Sequence, residues 1–187
     1  TQPTGITADI SAKALTITGL SGVNKTYDGA TTASLTGTAA LSGIIGSEDV
    51  TLGGSATSNF ADKNVGTGKS ITVSGYTLGG ADLGNYSLTQ PSALTANITA
   101  KALTVTGVTA NNKTYDGTLT AALNTGSALL SGVVGADVVN LGGTAAGAFG
   151  DVNVGTGKVV TVTGFTISGG GASNYTISQP TGVTANI

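Results

Sequence analysis

The stretch "SITVSGYTL", residues 70–78, carries the strongest fold signal in the chain. Ile71 and Val73 alternate with polar residues, which is the two-residue period of a half-buried β-strand. The apolar set then resumes at Tyr76, one residue out of phase. Because a one-residue slip turns side chains to the other face of a sheet, a bulge or bend at Gly75 is needed to bring them back. The stretch predicts a long, kinked strand.

The same slip returns at Gly164 in "VVTVTGFTI", because most of the chain is a tandem repeat. "KALTITG" at Lys13 returns as "KALTVTG" at Lys101, an offset of 88 residues. A unit of that length can fold alone, though not by a wide margin. The expected domains are a tail strand of a preceding repeat at residues 1–12, a first repeat at 13–100 and a second at 101–187.

Other alternating segments predict the remaining strands, and no segment has a convincing helical period. The residues expected on the inner faces are Leu15, Ile17, Tyr86, Leu88, Leu94, Ala96, Ile98, Leu103 and Val105. We expect an all-β protein of two β-sandwich-like, Ig-like domains arranged end to end, with β-grasp-like units as the alternative. Residues 94–106, which join the repeats, contain no Gly or Pro. Since flexible linkers are rich in Gly and Ser, this segment predicts a stiff joint.

The composition argues against several kinds of chemistry. Seven basic and nine acidic residues give a net charge of −2, which offers little attraction to nucleic acid or to anionic lipid. The chain has no Cys and no His, which removes disulfides, thiolate metal sites and the commonest general base. We therefore expect no nucleic-acid partner, no membrane insertion, no cofactor and no enzymatic activity, in a monomeric chain.

Acidic residues recur in both repeats, and paired carboxylates can catalyse glycoside hydrolysis. All lie in turn-like sequence, where Asp is common for conformational reasons, so a structural role is favoured. Calcium stays open, because Asp and backbone carbonyls suffice as ligands. The pairs aligned are Asp28 with Asp116, Asp49 with Asp137, and Asp62 with Asp151.

Two covalent modifications also stay open. "NKT", "NYS", "NIT" and "NYT" fit the N-glycosylation pattern, although such matches arise easily in a chain rich in Thr and Ser. Lys69 and Lys158, which flank a predicted strand in each repeat, are candidates for an isopeptide bond to Asn.

The hexapeptide "NKTYDG" occurs twice, at residues 24–29 and 112–117. Asp-Gly is a strong signal for a two-residue hairpin turn, and the Lys can pair with the Asp beside it. A structural corner is therefore favoured over a binding site. The candidate ligand contacts, if the repeat does bind, are Tyr27, Asp28, Tyr115 and Asp116.

"KALTVTG", "NKTYDG", "NVGTGK" and "NYTISQP" in this order resemble the YDG repeat, and more loosely the MBG repeat, of large bacterial surface proteins such as filamentous haemagglutinin-like adhesins. The resemblance spans both repeats and implies export to the cell surface, tandem arrays and a role in adhesion or biofilm. It implies neighbouring repeats of the same polypeptide as partners and carries no catalytic residue. The expected function is a stalk that projects a distal binding region. The alternative is an adhesive module that engages glycans or host surface proteins by avidity.

Overall fold

The computed structural model describes Gln2 and residues 4–187, and these form β-strands and two short 3-10 turns. The all-β prediction is confirmed, and the described residues contain no α-helix of the kind that a β-grasp unit requires. In the first half, the strands are β1 (Lys13–Val23), β2 (Lys25–Thr26), β3 (Ser34–Ser42), β4 (Thr51–Phe60), β5 (Gly66–Gly79), β6 (Tyr86–Thr89) and β7 (Leu94–Thr99). In the second half, they are β8 (Lys101–Thr106), β9 (Thr109–Ala110), β10 (Thr120–Ala121), β11 (Leu123–Asn124), β12 (Leu129–Ser131), β13 (Asn140–Phe149), β14 (Lys158–Ser168), β15 (Tyr175–Ser178) and β16 (Thr184–Ala185). The 3-10 turns are Leu83–Asn85 and Ala172–Asn174.

The chain divides into two compact units whose limits differ from those of the sequence repeats. Unit 1 comprises Thr1–Lys25 and Ala30–Ile98, and unit 2 comprises Thr26–Gly29 and Thr99–Ile187. The first "NKTYDG" is therefore shared, with its Asn and Lys in unit 1 and its last four residues in unit 2.

Unit 1 has two sheets. In one, β1 lies between β3, which is antiparallel to it, and β6, which is parallel to it. In the other, β5 lies between the antiparallel strands β4 and β7, with the short β2 next to β7. Leu78 of the second sheet packs against the core cluster that contains Leu15 of the first. The predicted inner-face residues of these strands are buried or half-buried, which confirms the alternation as a guide to the core.

Unit 2 repeats this arrangement with shorter strands. The sheet β12–β8–β15 has the same antiparallel and parallel pairings as its counterpart, and β13 and β14 form the long antiparallel pair of the other sheet. Val105 of β8 lies in one core cluster with Phe149 and Val162. The two sheets therefore bury their apolar faces against each other, as expected of a sandwich.

The predicted bulges are confirmed at both glycines. Two residues of β4, Ser55 and Ala56, lie opposite Gly75, and the same register shift occurs in β13 opposite Gly164. Gly75 has φ +98° and Gly164 has φ +91°, a region that other residues rarely adopt. A Cβ at Gly75 would also overlap the carbonyl oxygen of Ser55. The extra residue lies in the partner strand, and the glycine lets the two backbones approach.

The N-terminal tail differs from the expected strand. Thr1 and Pro3 lie outside the described residues, and the other residues before Lys13 form no strand. Ile10 is fully exposed. Its counterpart in the first repeat, Ile98, is buried because β7 pairs with β5, whereas the tail has no such pairing among the described strands.

Candidate functional site

The Asn of "NKTYDG" fastens the motif to the end of its own unit in both repeats. The side-chain oxygen of Asn24 accepts the Asn97 amide at 2.7 Å, and that of Asn112 accepts the Asn186 amide at 2.8 Å. The side chain of Asn97 in turn accepts the amide of Gly68. These amide groups therefore hold strand ends together.

The Lys of the motif closes the loop that follows it. The Lys25 ammonium donates to the carbonyls of Ala30 at 2.7 Å and Thr32 at 3.0 Å, and lies 5.6 Å from the centre of the Phe60 ring. In unit 2 the Lys113 ammonium donates to the carbonyl of Thr118 and lies 5.5 Å from the centre of another buried ring. A cation held over an aromatic face and bonded to carbonyls stabilises the loop without a tight turn.

The predicted two-residue hairpin turn at Asp-Gly is wrong. β2 pairs with β7 rather than with the residues that follow the motif, and residues 112–117 of the second copy lie in no strand. The Lys–carbonyl bonds replace the strand pairing that a hairpin would have supplied. The predicted Lys–Asp pair is confirmed in the second copy, where Lys113 lies 2.8 Å from Asp116. This bond lowers the pKa of Asp116 to about 2.

The Tyr of the first motif is buried in unit 2. Tyr27 is 2% exposed, and its hydroxyl donates to Oδ2 of Asp137 at 2.7 Å. The hydroxyl of Tyr175 donates to the same oxygen at 2.7 Å and accepts the Val134 amide at 2.9 Å. The two rings meet edge to face, with 5.3 Å between their centres. Burial is the main cause that raises the pKa of Tyr175, and the bond to the carboxylate raises it further.

Unit 1 has the same tyrosine–carboxylate pair. The hydroxyl of Tyr86 donates to the carboxylate of Glu48 and accepts the Ile45 amide at 3.0 Å. The bond to Glu48 is the main cause that raises the pKa of Tyr86. Glu48, rather than Asp49, is therefore the counterpart of Asp137. The sequence alignment of Asp49 with Asp137 is wrong by one residue, because the second repeat has one extra residue between "NKTYDG" and this segment, which makes the offset 137 − 48 = 89 here.

The Tyr of the second motif has a different environment from the first. Tyr115 is 57% exposed, whereas the identical hexapeptide places Tyr27 in a core. Asp28 and Asp116 are both exposed. Of the two tyrosines predicted as ligand contacts, Tyr115 is the one at the surface, and its contact with a ligand stays a prediction.

The remaining recurrent acids have local structural contacts. Asp62 and Asp151 form ion pairs with Lys69 and Lys158, and these bonds lower the pKa of each carboxyl. The lysines proposed for an isopeptide bond to Asn are therefore engaged with aspartates. Asn174, in one of the glycosylation patterns, is buried at 5% exposure, so its side chain is not accessible for attachment of a glycan.

Sequence reasoning missed two glutamines that bond to β5 and β14 beside the bulge glycines. The side chain of Gln90 accepts the amide of Tyr76 and donates to its carbonyl, and Gln179 makes the same two bonds with Phe165. The available signal was the Gln-Pro pair that follows "NYSLT" and "NYTIS" in both repeats.

The described residues offer little further site chemistry. A cavity of about 670 Å³ in unit 2, beside Thr120 and Thr144, is lined by residues that carry no titratable side chain. Within the described part of the chain, no three His, Cys, Asp or Glu side chains lie close enough to hold a metal ion. No helix of the described residues is long and apolar enough to cross a membrane.

Two β-sandwich units, each with a buried Tyr bound to a carboxylate, define a tandem all-β repeat module. The family model of the YDG domain matches the chain twice, over residues 11–93 and 99–182. Because these matches cover most of the chain, it belongs to the YDG domain family. Comparison with curated proteins and with solved structures found no match.

Proposed function

We propose that this chain is a structural module in the stalk of a bacterial cell-surface adhesin, where rows of such repeats hold a distal binding region away from the cell. The observation that supports this proposal best is the set of contacts made by the repeated hexapeptide, which is the strongest candidate for a binding site. Its Asn and Lys side chains bond to their own unit, and the ring and hydroxyl of Tyr27 are buried against Asp137 and Tyr175. Groups bound in this way stabilise the fold and are not available to a ligand.

Family membership and composition support the same proposal. YDG repeats resemble parts of large exported bacterial proteins, in which tandem copies give length. With a net charge of −2 and only 9% charged residues, the surface has no strong field to attract a charged partner. The module is proposed to be extracellular and to take no part in catalysis.

An adhesive module is the second candidate, and the exposure of Tyr115 favours it. Exposed tyrosines are common contacts for proteins and glycans, because they supply a large rigid surface at low entropic cost. Weak contacts repeated along an array would then add by avidity.

A binding screen separates the two. The folded chain, its Tyr115→Ala variant and a matched variant at another exposed residue, Leu129→Ala, are immobilised at high density and exposed to glycans and matrix proteins. The stalk proposal expects no binding by any of them. Binding that Tyr115→Ala abolishes and Leu129→Ala retains would replace it with the adhesive proposal.

Location needs a separate test. Antibodies raised against the chain are expected to label intact cells of the source bacterium, and the label is expected to disappear after brief protease treatment. Labelling only after the cells are lysed would contradict a surface location.

A further inference from the structure

We propose that Ser11, Glu48 and Tyr86 of unit 1 form a receiving site for the Tyr-Asp-Gly segment of another copy of this repeat. The recognised group is a tyrosine phenol on an extended peptide. The inference deepens the stalk proposal, because it names the contact by which one repeat would join the next.

The contacts of Tyr27 in unit 2 show how such a segment is received. Three groups contact Tyr27. The carboxylate of Asp137 accepts a bond from the Tyr27 hydroxyl, the ring of Tyr175 packs against the Tyr27 ring, and the carbonyl of Thr99 accepts a bond from the Tyr27 amide at 2.8 Å. A bond from a phenol to a carboxylate is charge-assisted and stronger than a neutral one. The site thus recognises both the side chain and the backbone of the tyrosine.

Unit 1 carries the same three groups. Glu48 aligns with Asp137 in its bond to a tyrosine, Tyr86 aligns with Tyr175, and Ser11 stands where Thr99 stands in the other repeat. Ser11, Glu48 and Tyr86 line one cavity of about 290 Å³. Both the receiving site and the Tyr-Asp-Gly segment that it would bind therefore occur twice in the sequence.

Exposure of the surrounding residues distinguishes the two receivers. Ile45, which lines the unit 1 cavity, is 55% exposed, whereas its counterpart Val134 is half-buried. Asn85, on the same cavity, is exposed, whereas its counterpart Asn174 is buried. In unit 1 a large apolar side chain and an amide lie at the surface, whereas their counterparts in unit 2 are covered. This difference indicates that the unit 1 site is a surface to which a partner segment can bind.

The chain also carries a segment of the kind that this site would receive. A Cβ on Gly29 would lie 2.9 Å from the side chain of Val134, so this glycine fits closely against the receiver of unit 2. The corresponding Gly117 has open space around it, and Tyr115 is exposed. The second Tyr-Asp-Gly is thus presented to solvent in the same chain as the exposed receiver.

A tandem fusion tests the proposal. The whole chain is followed directly by a second copy that starts at Ser11, so that Ile187–Ser11 reproduces the natural junction of Ile98 and Thr99. The second copy carries Tyr115→Phe, which leaves a single Tyr115 to be followed. Tyrosine nitration by tetranitromethane, read by peptide mass spectrometry, reports burial, and protection of Tyr27 confirms that both copies are folded.

In the single chain Tyr115 is expected to be nitrated much faster than Tyr27. In the fusion its rate is expected to fall to that of Tyr27, and Glu48→Ala in the second copy is expected to restore it. The matched control is Glu48→Ala in the first copy, which faces no Tyr-Asp-Gly segment and should leave Tyr115 protected. If Tyr115 stays reactive in the folded fusion, or if the second-copy substitution has no effect on its protection, the proposal is overturned.

A measurement on the unfused chain serves if the fusion does not fold. A synthetic peptide of residues 111–119 is titrated to millimolar concentration into isotopically labelled chain, and the amide resonance of Ile45 is followed by NMR. The resonance is expected to shift in the natural chain and to stay in place in Glu48→Ala. A resonance that does not move in the natural chain would overturn the assignment of the site.

Discussion

Replacing Tyr27 by Ala tests whether the first Tyr-Asp-Gly belongs to the core of unit 2. The side chain is 2% exposed, packs edge to face on Tyr175 and donates to Asp137. Removal of a buried aromatic side chain costs about 3 to 5 kcal/mol of folding free energy through lost packing alone, and the lost bond to the carboxylate adds to that cost. Tyr27→Phe removes only the hydroxyl, and Asp137 keeps its bond from Tyr175, so a loss of about 1.5 kcal/mol is expected.

The matched control is Tyr115→Ala, the same substitution in the same hexapeptide. Because Tyr115 is 57% exposed, the free energy of unfolding should change by no more than about 0.5 kcal/mol. Urea unfolding followed by far-UV circular dichroism gives both values, and hydrogen exchange of the Val134 amide shows whether the loss falls in unit 2. Equal losses in the two variants, or a loss below about 1 kcal/mol for Tyr27→Ala, would refute the reasoning.

Three further perturbations test other parts of the fold by the same unfolding measurement. Gly164→Ala should cost about 2 kcal/mol or more, because it adds a Cβ at positive φ against the facing backbone, whereas Gly150→Ala, with open space around it, should be nearly neutral. Lys113→Ala should lower the free energy of unfolding by about 1 to 2 kcal/mol, because the carbonyl bond and the ring contact are lost. The loss should exceed that of Asp116→Asn. A larger loss in Asp116→Asn would show that the ion pair, rather than the carbonyl bond, closes the loop. The raised pKa of Tyr175 means that the folded chain keeps a proton that the unfolded chain loses above about pH 10. The free energy of unfolding should therefore fall as pH rises above that value, and by less in Tyr175→Phe; an equal fall in both would contradict this.

Much of the fold could be predicted because it depends on local patterns. The alternation of Leu15 and Ile17 with threonines indicates a strand with one buried face, and the structure buries both residues. The phase slip around Gly75 requires a bulge, because side chains on a strand alternate strictly between its faces. The bulge occurs there, although the sequence could not show that the extra residue lies in β4.

The errors in the sequence analysis concern side-chain hydrogen bonds, which no periodicity in the sequence predicts. Asp-Gly predicted a hairpin at the hexapeptide, but bonds from Lys25 to carbonyls close that loop instead. The bonds of Gln90 to Tyr76 cross fourteen residues and were missed. The alignment of Asp49 with Asp137 neglects the one-residue insertion that precedes this segment, and the bond from Tyr86 identifies Glu48 as the true counterpart.

The sequence by itself determined that the chain repeats, that its units are built of strands, at which two glycines the strand pairing bulges, and which residues form the inner faces. Strand periodicity and the special conformations of glycine are properties of neighbouring residues, so they can be read without a partner surface. Only the tertiary structure decided that Tyr27 is buried and Tyr115 is exposed, although both stand in "NKTYDG". Burial depends on which surface lies against a side chain, and an identical hexapeptide carries no information about that surface.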